Sequence, residues 1–140
     1  MNDVLFAATA AFLLDQVTKK LSDAYLREHS LDLGFSFRLR RVVHRRAAYK
    51  KRRYVVMMGL SWLAAVFAVM TLHYVGGWFS EASSQVGVGI AVGGAAANLL
   101  DLSRSGQVVD FIEIRELTVF NLADTAILIG LCLAFVRLGG

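Results

Sequence analysis

The sequence predicts an all-α integral membrane protein of four transmembrane helices, with a basic loop between the first helix and the second. Three observations predict it. Of the 140 residues, 56% are hydrophobic, above the roughly 45–50% apolar share usual in soluble domains, and the mean hydropathy is +0.55. Apolar runs recur that match the roughly 20 helical residues needed to cross a hydrocarbon core of about 30 Å. The basic residues, by contrast, crowd into one stretch, "RLRRVVHRRAAYKKRR" at 38–53. A chain of this length forms one membrane-embedded domain, 1–140.

The first helix is expected over about 4–26, with its most apolar part at Val4–Leu14. It lacks a basic n-region and an A-x-A-like site, so it reads as a retained helix and not a cleaved leader. The second, about 54–79, is the most continuous run, "YVVMMGLSWLAAVFAVMTLHYVGGWF". The third, about 86–102, is rich in Gly and Ala, which lets neighbouring helices approach closely. The fourth, about 121–138, contains "TAILIGLCLAFV", and Cys132 is expected to be buried within it. Helices are expected throughout because backbone polar groups in lipid must be satisfied within their own segment. Four spans place both termini on one side and the loops 27–53 and 103–120 together on the other. A lone cysteine supplies neither an internal disulfide framework nor a metal cluster.

Polar residues interrupt these runs at few places. In "LLDQVTKK", Asp15 and Lys19 are four apart and can pair on one helix face, with Thr18 beside them. The structural alternative is a helix-anchoring pair with Lys19 and Lys20 reaching to the interface. In "GGAAANLLDL", Gly94, Asn98 and Asp101 share one face, a stripe that points into the bundle. Asp110 and Asp124 each sit at the edge of an apolar run. "DFIE" sets Asp110 three before Glu113 and "NLAD" sets Asn121 three before Asp124, so both resemble helix capping boxes. Two carboxylates that converge at one membrane face have a second use. They cannot both ionise easily, so one keeps a proton while the other stays charged. That is the acid and base of a water-activating peptidase. His29, His44 and His73 stand in unrelated contexts and form no nucleophile–base arrangement, and no metal or cofactor is expected.

The basic stretch 38–53 reads as a topology signal that holds a loop in the cytoplasm. It also reads as an anionic-lipid patch, worth about 1 kcal/mol per basic residue near the surface. Sparse aromatic interleaving argues against nucleic acid as a partner.

Four segments together resemble lipoprotein signal peptidase, or signal peptidase II. "DQVTK" at 15–19 resembles that family's D-Q-x-[TS]-K, and "GGAAANLLD" at 93–101 resembles its G-G-A-x-G-N-x-x-D-R. "VVDFI" at 108–112 and "FNLAD" at 120–124 are similar to its two catalytic blocks, in order. The resemblance implies a four-helix intramembrane aspartic endopeptidase of the bacterial inner membrane. Its substrates would be lipid-modified prolipoproteins, cut before the modified cysteine. By position it implies Asp110 and Asp124 as the catalytic dyad. Asp15, Lys19, Gly94, Asn98, Asp101, Arg104, Asn121 and His44 would be supporting or substrate-binding residues. It also implies an active site at the outer face, against the charge rule, and the expectation here follows the resemblance. The chain departs from the family at three points. Leu102 replaces the D-R arginine, with Arg104 two residues on; Ala97 replaces a glycine; and "HRRAAY" at 44–49 stands for N-x-G-A-A-F. Those departures carry the alternative, a non-catalytic relative that binds lipid, a signal peptide or a peptidase-targeting antibiotic.

Overall fold

The computed structural model describes residues 2–45, 48–77, 79, 81–115 and 117–135. Among them are four helices, α1 (Asn2–Tyr25), α2 (Ala48–Gly76), α3 (Ala82–Ser105) and α4 (Leu122–Phe135), in the predicted order. Both α2 and α3 start earlier than expected and α3 runs on to Ser105, while α2 ends at Gly76, short of 79. At about 1.5 Å per residue, the 24 residues of α1 and of α3 and the 29 of α2 exceed the hydrocarbon thickness. Val55–Gly76 of α2 and all of α3 are long and apolar enough to cross a membrane, with mean hydropathies of 2.2 and 1.5.

The expectation of an all-α protein is corrected. The segments read as loops carry four strands, β1 (Leu31–Gly34), β2 (Phe37–Arg45), β3 (Gln107–Ile114) and β4 (Thr118–Phe120). They form one antiparallel sheet in the order β1-β2-β3-β4. Nor is 38–53 a loop, because most of its first half is β2 and α2 already begins at Ala48. The physical reason lies in period-2 alternation. "FRLR" at 37–40 and "IEI" at 112–114 place apolar and charged residues on opposite faces. Pairing sets Phe37 beside Ile114 and Leu39 beside Ile112 on one face, and Arg38 beside Glu113 on the other. Charge density concealed that alternation. Each helix meets the sheet at the same end of the bundle. The turn from α3 into β3 is made by Gly106, whose φ of 70° suits glycine and whose N–H closes on the Leu102 carbonyl at 3.0 Å.

Helix α3 is the centre of the bundle, held by close backbone approach and not by large side chains. A Cβ on Gly87 would stand 2.5 Å from the Ala134 nitrogen, and one on Gly130 would stand 2.6 Å from the Gly87 oxygen. On its other side Gly89 and Gly93 meet the backbone of Val4 and Ala8 in α1. The interior accordingly mixes small apolar residues such as Ala7, Ala97 and Ala123 with buried polar ones. The largest fully buried side chains are Asn121 and Asp15, while Phe6, Phe67 and Leu128 face outward. Such an inversion suits a chain whose helices are solvated by lipid. Cys132, expected inside, is exposed on α4.

Candidate active site

The site is built where α1, α3, β3 and the start of α4 meet. Its anchor is Lys19, 6% exposed, whose ammonium has three donors and three partners. It pairs with Asp15 Oδ2 at 2.7 Å and Asp101 Oδ2 at 2.6 Å, and donates to Asn98 Oδ1 at 2.8 Å. The i, i+4 spacing of Asp15 and Lys19 therefore makes the expected pair, and Lys19 turns inward and does not reach for the interface. Thr18 is not part of it, because its hydroxyl returns to the carbonyls of Leu14 and Asp15 on its own helix. Gln16, which sequence reasoning left without a role although it lies in "DQVTK", donates to Asp101 Oδ1 at 3.0 Å.

Asp15 does a second task that no local pattern announces. Its Oδ1 accepts the backbone N–H of Ala123 at 2.8 Å. The first N–H groups of a helix lack intrahelical partners, so a carboxylate from α1 caps the start of α4. The other cap is local and matches the expected box. Asn121 Oδ1 accepts the Asp124 N–H at 2.9 Å, and Asp124 Oδ2 accepts the Asn121 N–H at 3.2 Å. The matching expectation for Asp110 and Glu113 is corrected, because both lie in β3, where residues three apart face opposite ways.

Two amides join this frame to the carboxylates. Asn98 donates from Nδ2 to Asp124 Oδ1 at 2.8 Å. Asn121 donates from Nδ2 to Asp110 Oδ1 at 2.7 Å and to Asn98 Oδ1 at 3.1 Å. The sense of each amide is set by chemistry. An ammonium can only donate, so the Asn98 oxygen faces Lys19 and its NH2 faces Asp124. A backbone N–H likewise fixes the Asn121 oxygen on Asp124 and leaves its NH2 for Asp110. Asn121 thus touches both aspartates, with its side chain wholly buried.

Of the other expected residues, Gly94 acts by size, since a Cβ there would stand 2.7 Å from the Ala123 carbonyl oxygen. Arg104 is exposed in the last turn of α3, and Leu102 is buried, so no guanidinium enters the cluster from position 102. His44 lies in β2 opposite Val108, but its side chain falls outside the described residues, as do Arg46 and the side chain of Tyr49. Two apolar grooves flank α4. One, of about 180 Å³, is lined by Trp62, Val66, Val92, Ile127 and Leu131 from α2, α3 and α4. The other, of about 450 Å³, lies between α1, α3 and α4 and reaches Leu122 and Thr125 beside the aspartate.

The sequence profile of the Signal peptidase (SPase) II family matches residues 7–138. The lipoprotein signal peptidase of Tropheryma whipplei (strain Twist) is 35% identical over 96% of this chain and 94% of its own. That of Syntrophomonas wolfei is 35% identical over 93% of this chain and 92% of its own. In fold, the chain is similar to a bacterial membrane enzyme solved by the in meso method at 1.9 Å resolution, with a TM-score of 0.78 and 21% identity over 99% of this chain and 96% of that one. A second such structure, at 2.3 Å resolution, gives a TM-score of 0.76 over 95% of this chain and 85% of that one. With the profile covering nearly the whole chain and relatives matched end to end, this protein belongs to the signal peptidase II family of membrane-embedded lipoprotein signal peptidases.

Proposed function

We propose that the chain is an aspartic endopeptidase of the bacterial inner membrane, with Asp110 and Asp124 as its dyad and lipid-modified prolipoproteins as its substrates. The observation that carries this is the shared hold of Asn121 on both carboxylates, at 2.7 Å to Asp110 and through the reciprocal cap to Asp124. One carboxylate is ionised and takes a proton from water as the water oxygen bonds to the scissile carbonyl carbon. The other is protonated and passes its proton to the carbonyl oxygen as that oxygen gains charge, giving a tetrahedral diol. Collapse of the diol breaks the C–N bond as one hydroxyl proton returns to that carboxylate, and the proton gained by the base passes to the leaving nitrogen. Asn98 and Asn121 keep both carboxylates in place through the cycle, and Asp15, Lys19 and Asp101 keep the amides in place. The residues 1–140 act as one domain that spans the membrane four times, α1 and α4 included, with the sheet and the dyad at the outer face. The apolar grooves beside α4 give acyl chains and a signal segment a route through lipid to the aspartates.

The buried, uncharged Leu102 favours a second reading, in which substrate handling has been lost and the chain binds lipid, a signal peptide or an antibiotic without cutting. Cleavage of a lipid-modified prolipoprotein by the purified protein separates the two. Turnover by the parent, abolished in both Asp110→Asn and Asp124→Asn, is the expected result. General acid–base groups contribute about 10²–10⁴-fold each, so losses of that order or larger are expected. Substantial turnover by both variants sinks the dyad.

A further inference from the structure

Helix α2 is attached to the bundle differently from the other three. Glycines bring α1 and α4 into backbone contact with α3, and buried polar groups lock the three together, through Lys19 to Asn98 and through Asp15 to Ala123. In α2, by contrast, a Cβ on Gly59 would meet nothing within 4 Å. Of the helices, α2 packs to any extent only on α3, and no residue of Val55–Gly76 is buried. It leans on α3 through one half-buried stripe, Val55, Gly59, Trp62, Val66, Val69 and His73, at the three- and four-residue spacing of a single helix face. Within that stripe the Trp62 Nε1–H donates to the Val92 carbonyl at 3.4 Å, beyond the usual range of about 2.7–3.2 Å. Past the end of α2, Gly77 has φ of 63°, which glycine adopts without strain. Phe79 is then buried, its ring edge-on to Phe135 of α4 at 5.5 Å. A permissive residue directly before a fixed one is what a hinge needs.

Space supplies the reason to move. The groove between α2 and α4 runs along α3 from Val88 to Ala95, and Ile127 in its wall lies about one helical turn from Asp124. It holds about 180 Å³, below the roughly 300–1,000 Å³ that encloses even a drug-sized ligand. A signal segment with acyl chains attached is larger still, and a helical one needs about 8–10 Å between its axis and each neighbour. Helices α1 and α4 cannot part to make that room without breaking the Asp15 cap on Ala123. Helix α2 can, because none of Asp15, Lys19, Asn98, Asp101 and Asn121 lies on it.

We propose that α2 is a lateral gate. It pivots at Gly77, with Trp62 as its latch, and parts from α4 to admit the lipid-modified signal segment from the bilayer, while α1, α3 and α4 hold the aspartates still. The identity of what enters rests on the peptidase reading; the motion of α2 does not.

The test measures distances between nitroxide labels by double electron–electron resonance, in a Cys132→Ser background reconstituted in phosphatidylcholine–phosphatidylglycerol vesicles. One pair, Phe67→Cys with Leu128→Cys, reports α2 against α4; the other, Leu13→Cys with Leu128→Cys, reports α1 against α4. All three side chains face outward, so the labels stay clear of the packing. The probe is a synthetic diacylglyceryl-modified signal peptide whose scissile amide is reduced so that it cannot be cut. It should lengthen the 67–128 distance by about 5 Å or more, half of a helix diameter, and leave 13–128 unchanged. Trp62→Phe, which keeps a ring and removes the donor, should raise the long-distance population several-fold without peptide. A 67–128 distance that the peptide leaves unchanged overturns the gate. So does equal lengthening of 13–128, which is loosening of the whole bundle. A Trp62→Phe population equal to the parent's overturns the latch. Outward motion of α2 in a protein that cuts nothing supports the gate and sinks the dyad, whereas cleavage beside an unmoved α2 sinks the gate and leaves the dyad.

Discussion

Asp15→Ala should be among the most damaging single changes in the bundle, and its cost can be built from its contacts. Asp15 is fully buried; it pairs with Lys19 at 2.7 Å and caps the Ala123 N–H at 2.8 Å. Breaking a buried ion pair costs about 3–5 kcal/mol. Lys19 keeps Asp101 and Asn98, which argues for the low end, about 3 kcal/mol. The orphaned Ala123 N–H adds about 1–3 kcal/mol. A loss of about 4–6 kcal/mol would consume much of the roughly 5–15 kcal/mol that holds a domain together. Asp15→Asn is the informative companion. Its amide oxygen can still cap Ala123 while the charge is lost, so it should recover the cap's share of about 1–3 kcal/mol, at most half of the loss. The assay is denaturant unfolding of both variants, purified in the same detergent, followed by far-UV circular dichroism. Asp15→Ala within about 1 kcal/mol of the parent, the range of an exposed pair, would refute the reasoning, because the position would then be hydrated. If Asp15→Asn proved as damaging as Asp15→Ala, the cross-helix cap would contribute nothing.

Three further outcomes are expected. Gly130→Ala should destabilise by about 1–3 kcal/mol, the cost of overpacking, because its Cβ would stand 2.5 Å from the Ala91 nitrogen. Gly59→Ala in α2, with open space around its Cβ, should be neutral or stabilise by up to about 1 kcal/mol; equal effects in a thermal-shift comparison would contradict close α3–α4 packing. Lys19→Met should lower kcat far more than it raises KM, since it removes the donor that aims the Asn98 amide at Asp124; a change confined to KM in steady-state cleavage kinetics would break that link. For orientation, a cysteine at Ser30 in the Cys132→Ser background should react with a membrane-impermeant thiol reagent in intact cells. Labelling only after lysis would put the sheet and the aspartates in the cytoplasm, as the positive-inside rule demands.

The sequence by itself determined what is local. Run length and hydropathy located α2 and α3, and the Gly/Ala content of α3 announced its close approach to α1 and α4. Spacings of three and four residues on one helix announced the Asp15–Lys19 pair, the shared face of Asn98 and Asp101, and the Asn121–Asp124 box. Each needs only residues within one or two turns, so intrinsic geometry settles it. The tertiary structure decided what spans the chain. Pairing of β2 with β3 joins residues some 70 positions apart, and only that pairing turns Asp110 from an expected cap into a strand residue beside Asn121. The cap that Asp15 gives α4 crosses 108 positions and leaves no periodic trace. Cys132 faces outward, which the sequence did not show because an all-round apolar helix carries no amphipathic stripe to say which side is in. In each case the deciding partner comes from a distant segment, and its direction is set by packing that no local pattern encodes.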